Sequence, residues 1–382
     1  MIGFAQASRA VQSAVASGMG SAAALAAIAS DGPWPSLSVG RTSSVALRPS
    51  PRGPVPLDWP GAPIDVDTPF DLASLTKPMA TTTLLALAVT QGRLSLEDPL
   101  QRWLPDAQGT ALADLPLRLL LGHGSGLPAW HDFFADSVAA DSPTARAAQV
   151  RRAVLATPLT APPGSAAVYS DLGFMLLGWV LEVAGGAPLE LQFAEQVAGP
   201  LGIAARFVRP GHCWSAAVVR TEVWAPRCGD GRPLSGQVHD DNCAALGGVA
   251  GHAGLFGSLR DVATWARVWL RAARGLANDL GLPPALVREW LGSAAAPATT
   301  WRLGFDTPSR PTSSAGQRAP DDAFGHLGFT GTSVWMSPGA DLAVVLLTNR
   351  VHPSRDAVAE IRALRPAVGD ALWPQPSSCS AR

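Results

Sequence analysis

Two side chains with complementary chemistry stand three residues apart. They are Ser74 and Lys77, within Phe-Asp-Leu-Ala-Ser-Leu-Thr-Lys-Pro at residues 70–78. Lys77 is the only lysine among the 29 Lys and Arg residues of the chain. Arginine could not replace it as a base, because guanidinium keeps its proton at any working pH, whereas burial or a nearby cation can make a lysine amine neutral. A neutral amine can take a proton from a serine hydroxyl, which is a poor nucleophile until something does so. After Leu72 the pattern turns helical: Leu75, Met79, Leu84, Leu85 and Ala88 share a broad apolar face and Gly92 is the stop. Helix residues three apart sit side by side, so Ser74 and Lys77 should touch. The helix N-terminus would also favour the negative charge that develops on an attacked carbonyl. Serine at a helix start also serves as a plain N-cap, so the pair needs support from elsewhere in the chain.

Three further stretches offer it. Tyr169-Ser170-Asp171 contains the only tyrosine, and a phenol beside a protonated lysine can have its pKa lowered and act as a base. His326-Leu327-Gly328-Phe329-Thr330-Gly331-Thr332-Ser333 reads as a strand whose glycines let a substrate lie against the backbone and whose edge could offer an N–H to an oxyanion. His239-Asp240-Asp241 precedes a glycine-rich run ending at Phe256. Adjacent residues point in different directions and do not make a metal site, so a polar loop lining a cleft is expected there. No metal or organic cofactor is implied.

These residues must be positioned by a sizeable fold. The chain has 382 residues, 47% hydrophobic and 15% charged, with a net charge of −1. That supports a globular core and argues against nucleic acid or an anionic membrane as the main partner. Cys213, Cys228, Cys243 and Cys379 lack metal-ligand spacing; a disulfide among the first three is open, with free thiols favoured. No run of about 18 apolar residues suggests a transmembrane helix. Phe4, Ala7, Val11 and Val15 have amphipathic helical spacing, so a folded N-terminus, no secretion signal and a cytoplasmic location are expected.

Strands are expected at 23–30 and 37–47, then the Ser74 helix and a helical turn over 94–105. Helices are expected at 115–121, 142–156 and 172–183, the last buried through Leu172, Met175, Leu176, Trp179, Val180 and Val183 and stopped at Gly185-Gly186. Residues 204–254 look irregular. Ser258-x-x-Asp261 opens another helix in capping-box style, with Val262, Trp265, Val268 and Trp269 facing inward. Strands follow at 302–305, 326–329, 332–336 and 342–348, the last two as a hairpin, and a helix at 357–372 closes the chain. Segregated strands and helices argue for an α+β fold, an antiparallel sheet flanked by helices with an inserted mainly helical domain. Residues 1–72 and 300–382 would form the sheet part of one catalytic unit and 73–299 the helical part, with the Ser74 helix at the cleft.

Ser74-x-x-Lys77, Tyr169-x-Asp171 and His326-x-Gly328 together resemble, in order and rough spacing, the serine β-lactamase and penicillin-binding protein superfamily. Leu121-x-His123-x-Ser125-Gly126-Leu127-Pro128 and Pro163-Gly164 ahead of Tyr169-Ser170-Asp171-Leu172-Gly173 are similar to further family motifs. Class C β-lactamases, D-alanyl-D-alanine carboxypeptidases of that type and family VIII esterases are the nearest branches. The 239–256 block is similar to a branch that acts on peptidoglycan pieces. The resemblance spans nearly the whole chain. It implies Ser74 as the acylated nucleophile, Lys77 and Tyr169 as the base pair, and the N–H groups of Ser74 and Phe329 as the oxyanion hole. His326 stands where the family often has lysine, and Asp171 where it has asparagine. The first change removes a cation that greets a substrate carboxylate; the second swaps an amide donor for an acceptor. Both point to an esterase- or amidase-type serine hydrolase acting on a small ester, amide or peptide. The alternatives are a β-lactamase or peptidoglycan-fragment hydrolase, and a ligand-binding relative that does not turn over.

Overall fold

In the computed structural model, the described residues are 2–44, 46–48, 55–57, 61–211, 214, 217–223, 227 and 233–374. Cys213, Cys228 and Cys379 lie outside them; Cys243 is buried and free, its thiol donating to the Ala253 carbonyl at 3.2 Å.

Among the described residues the strands are β1 (Ala22–Ile28), β2 (Ser36–Gly40), β3 (Ala46–Arg48), β4 (Val55–Leu57), β5 (Phe70–Asp71), β6 (Arg206–Phe207), β7 (Leu255–Gly257), β8 (Phe324–Leu327), β9 (Ser333–Ser337) and β10 (Leu342–Thr348). The main sheet is antiparallel in the order β2-β1-β10-β9-β8. It joins the two ends of the chain, with Ala24 opposite Leu347 and Ala26 opposite Val345.

Both faces of this sheet are covered, so β1 carries apolar residues on both. Ala23 and Leu25 pack with Val344 and Leu346 against Ala7 and Val11 of the Ile2–Ala16 helix and Ile361, Leu364 and Val368 of the Val358–Leu372 helix. Ala22, Ala24 and Ala26 face the other way with Val345 and Leu347, into the larger core that includes Trp265 and Trp269. That split is the period-two alternation of a strand. Alanine at most β1 positions leaves room for helices on either side.

The Leu259–Ala273 helix starts in the expected reciprocal cap: Ser258 Oγ accepts from the Asp261 N–H, and Asp261 Oδ2 accepts from the Ser258 N–H. Val262, Trp265, Val268 and Trp269 are buried as expected. Three expectations need correction. Val183, placed inward from its spacing, is half exposed at 51%. Residues 302–305 are a turn rather than a strand. Gly304 adopts φ +84°, and a Cβ there would meet the Thr82 side chain at 2.3 Å, so the chain bends tightly against the Ser74 helix. The strand expected at 326–329 is displaced to Phe324–Leu327, and Gly328–Thr332 instead makes the tight connection to β9. The helix Pro284–Gly292 was not anticipated; only Val287 and Trp290 of it are fully buried, too few contacts to set a period.

Among the described residues, no single helix is long and apolar enough to cross a membrane, although one bent pair, Asp171–Gly185 with Leu189–Leu201, matches by length and composition.

Candidate active site

The Ser74 helix is hydrophobic on nearly all sides because it runs through the core. It begins as a 3-10 turn at Ala73–Leu75, passes through a π-helical turn at Lys77–Thr82, and becomes α-helical at Thr83–Thr90. Among its buried threonines, Thr76, Thr81 and Thr83 have hydrogen-bond partners and Thr82 Oγ1 has none among the described residues. Thr83 Oγ1 donates to the Pro78 carbonyl and accepts from the indoles of Trp265 and Trp269. Thr76 Oγ1 donates to the Ala73 carbonyl and accepts from the Leu255 N–H of β7.

Ala73, immediately before the candidate nucleophile, has φ +49°. For a residue with a Cβ this left-handed conformation costs about 1–2 kcal/mol. Asp71 holds it there: Oδ1 accepts from the Ala73 N–H at 2.8 Å, and Oδ2 accepts from the His239 N–H at 2.6 Å. Thr330 and Thr332 hydroxyls donate to the carbonyls of Asp71 and Leu72, tying the β8–β9 connection to the same turn. Ser74 is therefore presented by a backbone fixed from two sides.

Lys77 is fully buried, and its Nζ has three acceptors. It donates to Ser74 Oγ at 3.1 Å, to Asp171 Oδ1 at 2.6 Å and to the His252 carbonyl at 3.2 Å. The Tyr169 ring lies over the amine, 4.8 Å from Nζ to the centroid, and Lys77 and Ser74 are near enough to its hydroxyl to favour the phenolate. Burial pulls the Lys77 pKa down, but Asp171 and Tyr169 outweigh it and hold the amine above its ordinary value. This corrects the expectation of a neutral lysine: the pairing with Asp171 makes Lys77 an ammonium. Burial raises the Tyr169 phenol, Lys77 lowers it and Asp171 raises it again, for a net upward shift. Tyr169 is thus a neutral phenol beside a compensated ion pair.

The sequence places Asp171 next to Tyr169, and the fold explains their separate roles. Ser170 is the N-cap of the Asp171–Gly185 helix; its Oγ donates to the Pro128 carbonyl, and the Asp171 N–H donates to the Ala129 carbonyl. Tyr169 stays outside the helix, in an aromatic cluster that sequence reasoning did not assemble. Trp301 stacks on it at 5.1 Å between centroids, and His123 lies 4.7 Å away. His123 Nδ1 accepts from the Ser170 N–H, which fixes its tautomer with the proton on Nε2. The Leu-x-His element of the sequence was a usable signal for His123; Trp301 carried none.

His326 is buried in the same cluster, 5.8 Å from the Tyr169 ring. Burial and Lys77 push its pKa down to about 3. Its Nδ1 lies 2.8 Å from the Leu327 carbonyl, which can only accept, so the proton is on Nδ1 and Nε2 is a lone-pair acceptor without a partner among the described residues. Gly328 lines the cleft, but a Cβ there would meet Thr332 Oγ1 at 1.9 Å and the Leu72 carbonyl at 2.7 Å. The glycine lets the two sides of the site close on each other. Phe329 is half exposed, sandwiched between the His239 ring and the Arg350 guanidinium.

Ser74, Tyr169, Asp171, His326, Gly328 and Phe329 line one cleft of about 770 Å³, with His239, Asp240 and Asp241 on its rim. Those three rim residues have separate partners, Glu222, His252 and Arg227 respectively. Among the described residues no group of three or more His, Cys, Asp or Glu could hold a metal ion.

A family model described as Beta-lactamase matches residues 16–368. The chain belongs to the beta-lactamase family. Within that family it is 31% identical over 307 residues to a protein of Escherichia coli (strain K12) provisionally named D-alanyl-D-alanine carboxypeptidase, covering 75% of this chain and 70% of the relative. It is 29% identical over 306 residues to the N-acetylmuramyl-L-alanine amidase of Bacillus subtilis (strain 168), covering 75% and 68%. The hydrolase EstCE1, described as having promiscuous acyltransferase activity, shares the fold with a TM-score of 0.69 at 21% identity, over 97% of this chain and 98% of that one. The beta-lactamase-family chain described here is therefore a hydrolase of the β-lactamase and penicillin-binding-protein type, with the α+β architecture expected from its sequence.

Proposed function

We propose that the chain is a serine hydrolase of esterase or amidase type, and that Ser74 forms a covalent acyl-enzyme. The observation that carries this reading is the hydrogen-bonded set Ser74–Lys77–Asp171 with the Tyr169 ring against the Lys77 amine. With Lys77 already protonated and donating to Ser74 Oγ, the serine proton is free to point at the Tyr169 oxygen. Tyr169 then works as a relay. As Ser74 Oγ bonds to the substrate carbonyl carbon, its proton passes to the Tyr169 oxygen, and the phenol's own proton passes to the leaving oxygen or nitrogen as that bond breaks. The two transfers are concerted, the phenol's proton departing ahead of the serine's arrival, so the Tyr169 oxygen carries phenolate character that the Lys77 ammonium stabilises. Ser74 and Phe329 N–H groups would hold the oxyanion. Water then repeats the sequence in reverse and frees the acid and Ser74. The neutral His326, with a lone pair instead of a cation, favours a substrate that brings an N–H or O–H to that position.

A second reading has its own support: the named activity of the Bacillus subtilis relative makes an amide of a peptidoglycan fragment a candidate substrate. The test is turnover by purified protein of p-nitrophenyl acetate and butyrate, a chromogenic cephalosporin, a D-Ala-D-Ala peptide and a muramyl peptide, each against Ser74→Ala. Ester turnover lost in the variant is expected. Fast cephalosporin or peptide cleavage would move the protein to the β-lactamase or peptidase branch. Turnover that survives Ser74→Ala would remove the nucleophile assignment.

A further inference from the structure

We propose that His123 is the positioning residue for Tyr169, that it grips the backbone on both sides of the tyrosine, and that protonation of the leaving group depends on this grip. The proposal rests on the relay reading of Tyr169 above and names the group that aims it.

Two hydrogen bonds bracket the tyrosine. The Val168 N–H donates to the His123 carbonyl at 2.9 Å, and the Ser170 N–H donates to His123 Nδ1 at 3.1 Å. Tyr169 lies outside the helix that starts at Asp171, so the regular bonds of that helix do not hold it. The His123 ring also lies 4.7 Å from the Tyr169 ring and 4.5 Å from Trp301, which covers Tyr169 from its other neighbourhood at 5.1 Å. Backbone and ring of the tyrosine are thus held by one residue. A misplacement of about 1 Å can slow a reaction on the order of a hundredfold, and a proton relay is exposed to such errors.

The histidine sits there against two local preferences. Its φ is +61°, a left-handed conformation that opposes a side chain. Gly122 and Gly124 flank it and press the backbone against Ala295, whose Cβ and carbonyl a Cβ at those two positions would meet at 2.5 and 2.6 Å. Its Nε2 is buried without a hydrogen-bond partner among the described residues, and an orphaned buried donor is unfavourable. An apolar ring would fill the same space with no such orphan. What the imidazole adds is the Nδ1 acceptor. Burial above all, then Lys77 and His326, keep the His123 pKa well below its ordinary value, so the ring is neutral and that lone pair stays available to the Ser170 N–H.

The experiment compares methyl butyrate with 4-nitrophenyl butyrate. Nitrophenolate departs without a proton, whereas methoxide needs one, so a misaimed phenol slows the methyl ester more. The readout is the ratio of kcat/KM for the methyl over the nitrophenyl ester. His123→Phe keeps a ring and loses the acceptor, and the ratio should fall roughly tenfold or more. His123→Asn carries an oxygen on the same Cγ and tolerates a left-handed φ, so its ratio should stay within about threefold of the wild type. A ring that only fills space predicts the reverse order, with Asn worse than Phe, and that order overturns the proposal. In a Tyr169→Phe background there is no phenol to aim, and His123→Phe should leave the ratio unchanged. An equal fall with and without the Tyr169 hydroxyl also overturns it. If His123→Phe does not fold, His123→Gly replaces it, since glycine adopts this φ freely and lacks the acceptor.

A ratio unmoved by Tyr169→Phe itself sinks the relay reading, and turnover independent of Ser74 sinks the hydrolase reading. In either case the grip is judged without turnover. Tyr169 is the only tyrosine, so 3-fluorotyrosine labels it alone for fluorine NMR. His123→Gly and His123→Asn both lack the ring and differ in the acceptor. The resonance should move further toward its unfolded-chain position in the glycine variant; the same position in both overturns the grip.

Discussion

The two walls of the cleft handle charge in opposite ways. On the helical wall the three carboxylates have partners: Asp171 in Lys77, Asp240 in the His252 ring and Asp241 in Arg227. On the wall from β8 and the final helix, His326 is neutral and Arg350, Arg362 and Arg365 have no carboxylate among the described residues. A proton relay works best when its charges are already balanced, because then no step requires an ion to be created in a low-dielectric site. In the proposed mechanism the balanced wall is the one that carries the proton transfers.

The strongest way to break this comparison is at the balanced wall. Ser74→Ala should reduce kcat/KM for esters by about 10⁴-fold or more, with the thermal transition nearly unchanged, because only a hydroxyl is lost. Equal loss of fold and activity would show that Ser74 is structural. Tyr169→Phe keeps the ring stack on Trp301 but deletes the relay, and a fall in kcat of roughly 10²–10⁴ is expected. Lys77→Arg should cost about as much. Its planar fork cannot serve the three acceptors that surround Nζ, and near-normal single-turnover rates in that variant would remove the ammonium from the mechanism.

Asp171→Asn sharpens the contrast by unbalancing the helical wall. Removing the carboxylate takes away an influence that raises both the Lys77 and Tyr169 pKa values. Both groups then lose protons at lower pH, so the alkaline limb of the kcat profile should move to lower pH. A limb that stays in place would mean that neither group limits the rate.

The smallest effect is expected at Glu222, the carboxylate that pairs with Arg355. Burial opposes its charge, but His239 and Arg355 lower its pKa from 4.5 to about 2. A depressed carboxylate stabilises the fold above its unfolded pKa and loses that contribution as pH falls through the folded one. The stability gap between wild type and Glu222→Gln, read as urea midpoints, should therefore shrink as pH falls from 4.5 toward 2. A gap independent of pH would show that the charge of Glu222 is not what matters.

Local structure was the part most legible in the sequence. The Ser258–Asp261 cap, the stop at Gly186 and the hairpin of β9 and β10 follow from short-range rules. Residues 302–305 were misread because a glycine turn packed against the Thr82 side chain has the apolar letters of a strand. Val183 was misread because helical spacing names a face without saying how far the core extends along it. In the site, the sequence brought Ser74 beside Lys77 and flagged Tyr169, His326 and the 239–241 loop, but it gave Lys77 the wrong charge. Trp301 and the arginines went unnoticed, since none stands in a short-range pattern with the residue it serves, and Asp71 went unnoticed although it holds the Ala73 N–H only two residues on.

The sequence by itself determined the residue types and local geometry of the chemistry: a hydroxyl and an amine one helical turn apart, one phenol and one capped aspartate at the head of a buried helix. These depend on neighbours within a few residues. Only the tertiary structure decided the charge states and the polarity of the cleft. Asp171 reaches Lys77 across 94 residues and fixes it as an ammonium, and the arginines of the final helix close the cleft from the far end of the chain. Electrostatic energy depends on distance in space and on exclusion of water, and neither can be read from distance along the chain.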